Sequence, residues 1–200
     1  MDILVYIVIL LFSVIIHEVM HGVAAEWFGD DTARREGRIT LNPIPHIDPF
    51  ASILLPAIML ISSGGTFALG AAKPVPVDFN NMRRPRLGMA VVSLAGPLSN
   101  LAIAILLALP VTFRVIEINE LLAKAIFLNV VLAVFNLLPI PPLDGSKIIA
   151  SFLPTNIMNT LLRFEQYGFL IILVLLFTGI LNTLLTPFVA VFAIVFGIYL

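Results

Sequence analysis

The sequence predicts an all-α polytopic membrane protein, and three observations carry that reading. Of its 200 residues, 60% are hydrophobic and 12% are charged, against ~45–50% and ~25% in soluble domains. The apolar residues fall in long runs, 3–16, 89–113, 121–138 and 169–200, and about 20 such residues cross ~30 Å of hydrocarbon. Between the runs lie two stretches rich in Gly, Pro and charge, 29–49 and 64–86, which read as loops. The expected architecture is about five to six transmembrane helices with a re-entrant segment and short membrane-associated strands. It forms one domain over 1–200, with a core of about 3–145 followed by C-terminal helices over about 157–200.

The first helix is expected over 3–28. Its Met-Asp-Ile start carries no basic residue, and no small-residue cleavage pattern follows, so it reads as a retained span and not a signal peptide. The apolar segment from Pro49 to Ser62 has only 14 residues, a length that suits a re-entrant piece better than a span. "RITL" (38–41) and "TFALGAAKPVPV" (66–77) are candidates for the short strands. Further helices are expected over 88–112, 121–138, 157–178 and 181–200. The chain shows no internal repeat and no low-complexity tract.

Lys and Arg set the orientation. With the N-terminus outside and 49–62 re-entrant, Arg34, Arg35, Arg38, Lys73, Arg83, Arg84, Arg86, Lys147 and Arg163 fall inside, and only Arg114 and Lys124 fall outside. A full crossing by 49–62 would move Lys73, Arg83, Arg84 and Arg86 outside and erase the asymmetry. The reading is a multi-pass protein of the plasma membrane. The net charge of −1 and the lack of any basic block argue against a nucleic-acid partner. The absence of cysteine excludes disulfides and thiolate metal sites. Nothing in the sequence sets the oligomeric state.

Inside the first apolar run stands "HEVMH" (17–21). His17 and His21 are one helical turn plus about 40° apart, so both rings project from one face. That spacing lets two imidazoles bind one zinc ion, with Glu18 beside it as a base. Chance would supply such a match in roughly one chain in a thousand of this composition. The competing view, polar residues bonding between helices, meets the cost of ionisable groups at membrane depth, which mark function by default.

A catalytic zinc usually takes three protein ligands and keeps one open position. Candidates for the third are His46, Asp48, Asp144 and Glu165. Asp144 stands out because it ends "FNLLPIPPLDG" (135–145), where Pro139, Pro141 and Pro142 break a helix, and irregular backbone at membrane depth lines a cavity or is buried in protein. A plain helix exit with a surface turn at Asp144-Gly145 fits the same stretch. Topology favours the ligand. Asp144 reaches the first helix's inner end only if 49–62 makes no net crossing, which the basic residues require independently.

With these motifs together, the sequence resembles the site-2 protease family of intramembrane zinc metalloproteases, in its compact bacterial and archaeal form. "HEVMH" matches its HExxH, "NLLPIPPLDG" (136–145) its second signature, and "LAGPLSN" (94–100) its Gly-Pro-x-x-Asn helix motif. "GRITLNPIPHIDP" (37–49) and "AAKPVPVDFNNMRRPRLGM" (71–89) are similar to the compact members. The likeness covers most of 13–168, and no PDZ or paired-CBS domain is expected in this length. Met20 stands where relatives often carry a smaller or aromatic residue.

The resemblance implies that His17, His21 and Asp144 bind Zn2+ and that Glu18 is the catalytic base. It makes Asn136 a candidate to hydrogen-bond substrate or the developing oxyanion, and gives Asn100 a structural or substrate-positioning role. The implied activity is hydrolysis of peptide bonds within or near transmembrane segments of membrane-protein substrates, close to the cytoplasmic face. The segment 64–77 is a candidate strand donor for an unwound substrate, or else a plain connector. His46 is expected as a loop histidine, and Glu165 as one half of an interfacial ion pair with Arg163 or a basic loop. Alternative functions are a membrane zinc carrier or sensor, which would need polar residues along a pathway, and an inactive scaffold that binds helices.

Overall fold

The computed structural model describes residues 3–62, 64–65 and 70–196. Among the described residues four helices are long and apolar enough to cross a membrane: Leu4–Trp27, Pro85–Thr112, Glu120–Leu137 and Thr155–Phe177. The first lies within α1 (Ile3–Trp27), and a single turn, α2 (Thr32–Arg35), follows it. Next comes α3 (Leu55–Ser62), then the long α4 (Pro85–Thr112) and α5 (Glu120–Leu137). The chain then forms α6 (Asp144–Phe152), α7 (Thr155–Arg163), α8 (Gly168–Phe177) and α9 (Ile180–Phe196). The fourth apolar stretch is thus α7 and α8 joined by a 3-10 turn, Phe164–Tyr167.

α4 is the hub, packed against α1, α5 and α6. Its Ala104 and Ala108 are fully buried against Ile126 and Val130 of α5 and Phe192 of α9. Small residues one turn apart let backbones approach closely, the usual basis of helix association in lipid. A second cluster joins Ala24 and Ala25 of α1 to Val92 of α4 and Met82 of the preceding loop. Together the two clusters fix α1, α4 and α5 around the polar residues described below.

The short apolar piece returns to its starting point. Pro49–Leu54 is π-helical and runs into α3. Asp48 caps it, its Oδ1 accepting from the amides of Phe50 at 2.9 Å and Ala51 at 2.7 Å. Its helical length is about 21 Å, short of ~30 Å of hydrocarbon. The amide of Ala71 then donates to Ala51 O at 3.1 Å, and Ser52 Oγ donates to Ala71 O at 2.7 Å. Entry and exit therefore lie side by side, as a re-entrant segment requires.

Two expectations need correction. No strand forms among the described residues: 39–41 is a run of bends, and 70–77 is irregular, without a ladder. The candidate strand residues 66–69 lie outside the described residues. Chemistry explains the missing ladder over 70–77. Pro74 and Pro76 have no amide proton, and the amides of Ala71 and Lys73 already donate to Ala51 O and His46 O. The amide of Val75 donates to Glu18. The second is α6, which has no counterpart among the helices expected from the sequence. Nine residues give no long apolar run to detect. The last helix, expected over 181–200, is seen to Phe196, and 197–200 lie outside the described residues.

Candidate metal centre

The sequence places two histidines one turn apart near the packed end of α1, and the fold turns both toward α4. Their rings meet edge to face, with centroids 4.7 Å apart. Both are buried, with 6% of His17 and 7% of His21 exposed. A side-chain oxygen of Asp144 completes the cluster. Oδ2 lies 3.2 Å from His17 Nε2 and 3.3 Å from His21 Nε2. One ligand atom from each of the three residues falls within 4.8 Å of the others.

Asp144 reaches this point because α6 starts against the end of α5. The chain leaves α5 at Leu138, turns through the Pro-rich stretch 139–142, and begins α6 at Asp144. Gly145 makes the approach possible. A Cβ there would lie 2.2 Å from Leu137 O and 2.4 Å from Leu138 O, a separation no side chain tolerates. The Asp-Gly pair is therefore not a surface turn, since both residues are buried.

The far side of each imidazole is held as firmly. His17 Nδ1 is 2.6 Å from Asn100 Oδ1, and His21 Nδ1 is 2.7 Å from Val92 O. The orientation of the Asn100 amide follows from its other bonds. Its Nδ2 donates to Ser13 O at 3.1 Å and to Asn129 Oδ1 at 3.0 Å. Asn129 Nδ2 donates in turn to Ser13 Oγ and Ala125 O. Asn100 Oδ1 must then accept, so His17 carries its proton on Nδ1; the Val92 carbonyl imposes the same on His21. Both Nε2 atoms consequently present lone pairs to a carboxylate oxygen. Acceptors at such distances need a proton or a cation between them.

Zinc fits that requirement. Tetrahedral ligands with bonds of ~2.0–2.1 Å stand about 3.3 Å apart, matching the two separations to Asp144. Two imidazoles and one carboxylate leave a fourth position free, as catalytic zinc sites do. Imidazoles whose second nitrogen is fixed by a carbonyl or amide oxygen are the usual arrangement around metals. α4 leaves room beside them. A Cβ on Gly96 would lie 2.5 Å from His21 Nε2 and 2.6 Å from His17 Nε2, so only glycine keeps that space open.

The cluster opens into a cavity of about 1000 Å³. Glu18 lines it one residue from His17, and its Oε2 accepts the Val75 amide at 2.9 Å. Asn136 also lines it, with Nδ2 donating to Leu132 O at 3.0 Å. Glu165 and Lys147 stand on the same wall, and Glu165 Oε1 has no hydrogen-bond partner. Glu165 thus faces the cavity, and among the described residues it forms no ion pair with Arg163. His46 is elsewhere. It is buried, and its Nε2 lies 2.9 Å from Thr40 O, making it a loop residue. Asp48 serves as the helix cap already described. The sequence reading missed Ser13, Val92, Gly96 and Asn129. For Asn129 a signal existed: a second asparagine, seven residues before Asn136, in the apolar run 121–138.

Residues 112–179 match the family model described as "Peptidase family M50". The chain is 40% identical over 194 residues to "Putative zinc metalloprotease YwhC" of Bacillus subtilis, covering 91% of this chain and 84% of that protein. It is 36% identical over 177 residues to "Putative zinc metalloprotease Rip2" of Mycolicibacterium smegmatis, covering 86% of this chain and 66% of that one. No solved structure matches. An identity of this level along nearly the whole chain, together with the family match, establishes that the chain belongs to peptidase family M50.

Proposed function

We propose that this membrane metalloprotease hydrolyses peptide bonds within or near transmembrane segments of its substrates, with His17, His21 and Asp144 holding zinc and Glu18 acting as the base. The observation that supports it most is the convergence of both Nε2 atoms and Asp144 Oδ2 beside Glu18 in one cavity. Bound there, zinc would supply a nucleophile at neutral pH and an electrophile for the scissile carbonyl.

The chain's own residues do the rest. Glu18 keeps one carboxylate oxygen on the Val75 amide, which leaves the other to take a proton from the attacking water and return it to the leaving amine. Asn136 lines the same space, where its amide can donate to substrate or to the developing oxyanion. Asn100 and the Val92 carbonyl hold the imidazole tautomers. A transmembrane helix shields its own amides, so the substrate must enter this cavity locally extended. The basic-residue asymmetry supports a site near the cytoplasmic face.

Substitution of Glu18 by Gln tests the reading. The variant should keep zinc and lose cleavage of a reconstituted transmembrane substrate. Normal cleavage by that variant would remove Glu18 from the mechanism.

A further inference from the structure

Arg38 is buried, with 5% exposed, yet among the described residues no carboxylate lies within ion-pairing distance of it. Its Nη2 donates instead to two successive carbonyls, Lys73 O at 2.8 Å and Pro74 O at 3.1 Å, and its Nε has no partner. A desolvated cation that bonds only to neutral carbonyls is costly. Such a group is understood best by what it holds in place.

What it holds is one amide. In "KPVPV" (73–77), Pro74 and Pro76 have fixed φ and no N–H, and each restricts the residue before it to extended backbone. Lys73 N–H is already bonded to His46 O at 2.9 Å. The next N–H along is that of Val75, and it points at Glu18 Oε2, 2.9 Å away. The backbone of Arg38 is anchored too, its amide donating to Ala33 O at 2.8 Å. Arg38 therefore connects the fixed α2 turn to a stiff strap, and the strap carries a single donor onto the proposed base.

We infer that Arg38 is a positioning residue: it clamps Lys73 and Pro74 so that the Val75 amide holds one oxygen of Glu18 and orients the other for the reaction. The inference rests on the assignment of Glu18 as base. Arg38 touches neither substrate nor reacting atoms and acts only through Val75.

Arg38→Met and Arg38→Lys, purified as full-length protein, test it beside a third form in which valine 75 is replaced by its α-hydroxy acid, exchanging the N–H for an ester oxygen. Losing one hydrogen bond to a charged group should lower kcat by roughly 10- to 100-fold, with KM within about twofold because uniform substrate binding is untouched. Arg38→Met and the ester should lose similar amounts. Combined, they should lose no more than either alone, since both remove one interaction. Arg38→Lys should recover part of the rate. Zinc content should stay at the wild-type level, and deuterium uptake over 73–77 should rise in Arg38→Met. Additive losses, or full activity in the ester form, would overturn the inference. The ester leaves Arg38 intact, so full activity in it overturns the inference even if Arg38→Met fails to fold, and Arg38→Lys with wild-type kcat and wild-type deuterium uptake over 73–77 would overturn it as well. If Glu18→Gln is inactive while the ester form is fully active, only the role of Arg38 fails; if Glu18→Gln is active, the assignment of the base fails first.

Discussion

Gly96→Ala sets two effects of opposite sign against each other. Alanine is favoured over glycine in a helix interior by ~1 kcal/mol, so on propensity alone the change should stabilise α4. The new methyl, however, would lie 2.5 Å from His21 Nε2 and 2.6 Å from His17 Nε2, where ordinary contact begins at 3.4 Å. The rings would have to retreat by about 0.8–0.9 Å, roughly four times the ±0.2 Å that metal–ligand bonds tolerate. They have nowhere to go, because Nδ1 of each is already 2.6 and 2.7 Å from Asn100 Oδ1 and Val92 O. Zinc affinity should fall at least ~100-fold, about 2.7 kcal/mol, and the zinc-free protein should gain no thermal stability, because overpacking of ~1–3 kcal/mol cancels or exceeds the ~1 kcal/mol of helix propensity. Competition with a graded chelator series reads the first quantity, and thermal unfolding in detergent with chelator present reads the second. Wild-type zinc affinity in Gly96→Ala would refute the placement of both Nε2 atoms over this residue.

Two further outcomes follow from the polar network and the loops. Asn100→Leu removes the acceptor that fixes the His17 tautomer and leaves Asn129 Oδ1 without its donor; zinc affinity should fall ~10–100-fold, measured by the same competition. Asp30 is fully buried beyond the end of α1 and accepts from Thr32, the Asp78 amide and Asn81. Burial alone would raise its pKa, but those hydrogen bonds outweigh it and hold the carboxyl below its ordinary value. A depressed carboxyl contributes stability above its unfolded pKa near 4 and loses it as pH falls through the folded value. Asp30→Asn should cost ~1–3 kcal/mol at pH 7, with the gap to wild type closing below about pH 4. A gap in thermal stability that did not change with pH would contradict this account.

The helices were legible in the sequence because lipid demands long apolar runs, and α1, α4 and α5 supply them. The His-His-Asp cluster was legible for a related reason: His17, His21 and Asp144 stand out where polar groups are costly, and the distribution of basic residues puts them on one side. The parts that escaped depend on close approach, which composition does not encode. Gly96 and Gly145 look like any helical glycine until their neighbours are known. α6 is too short to leave a run. The strap 70–77 carries the composition of a strand, yet its prolines and committed amides leave no ladder to form. Arg38 read as one more basic loop residue, and its grip on Lys73 and Pro74 joins positions far apart in the chain.

Metal stoichiometry in Asp144→Ala and Glu18→Gln, measured by elemental analysis on protein purified in detergent, tests the central claim most directly. The account predicts about one zinc per chain in wild type and in Glu18→Gln, and loss of zinc at chelator concentrations that leave both loaded when Asp144 is replaced. Zinc held by Asp144→Ala as tightly as by wild type would show that this carboxylate is not part of the centre, and the proposed site would have to be abandoned.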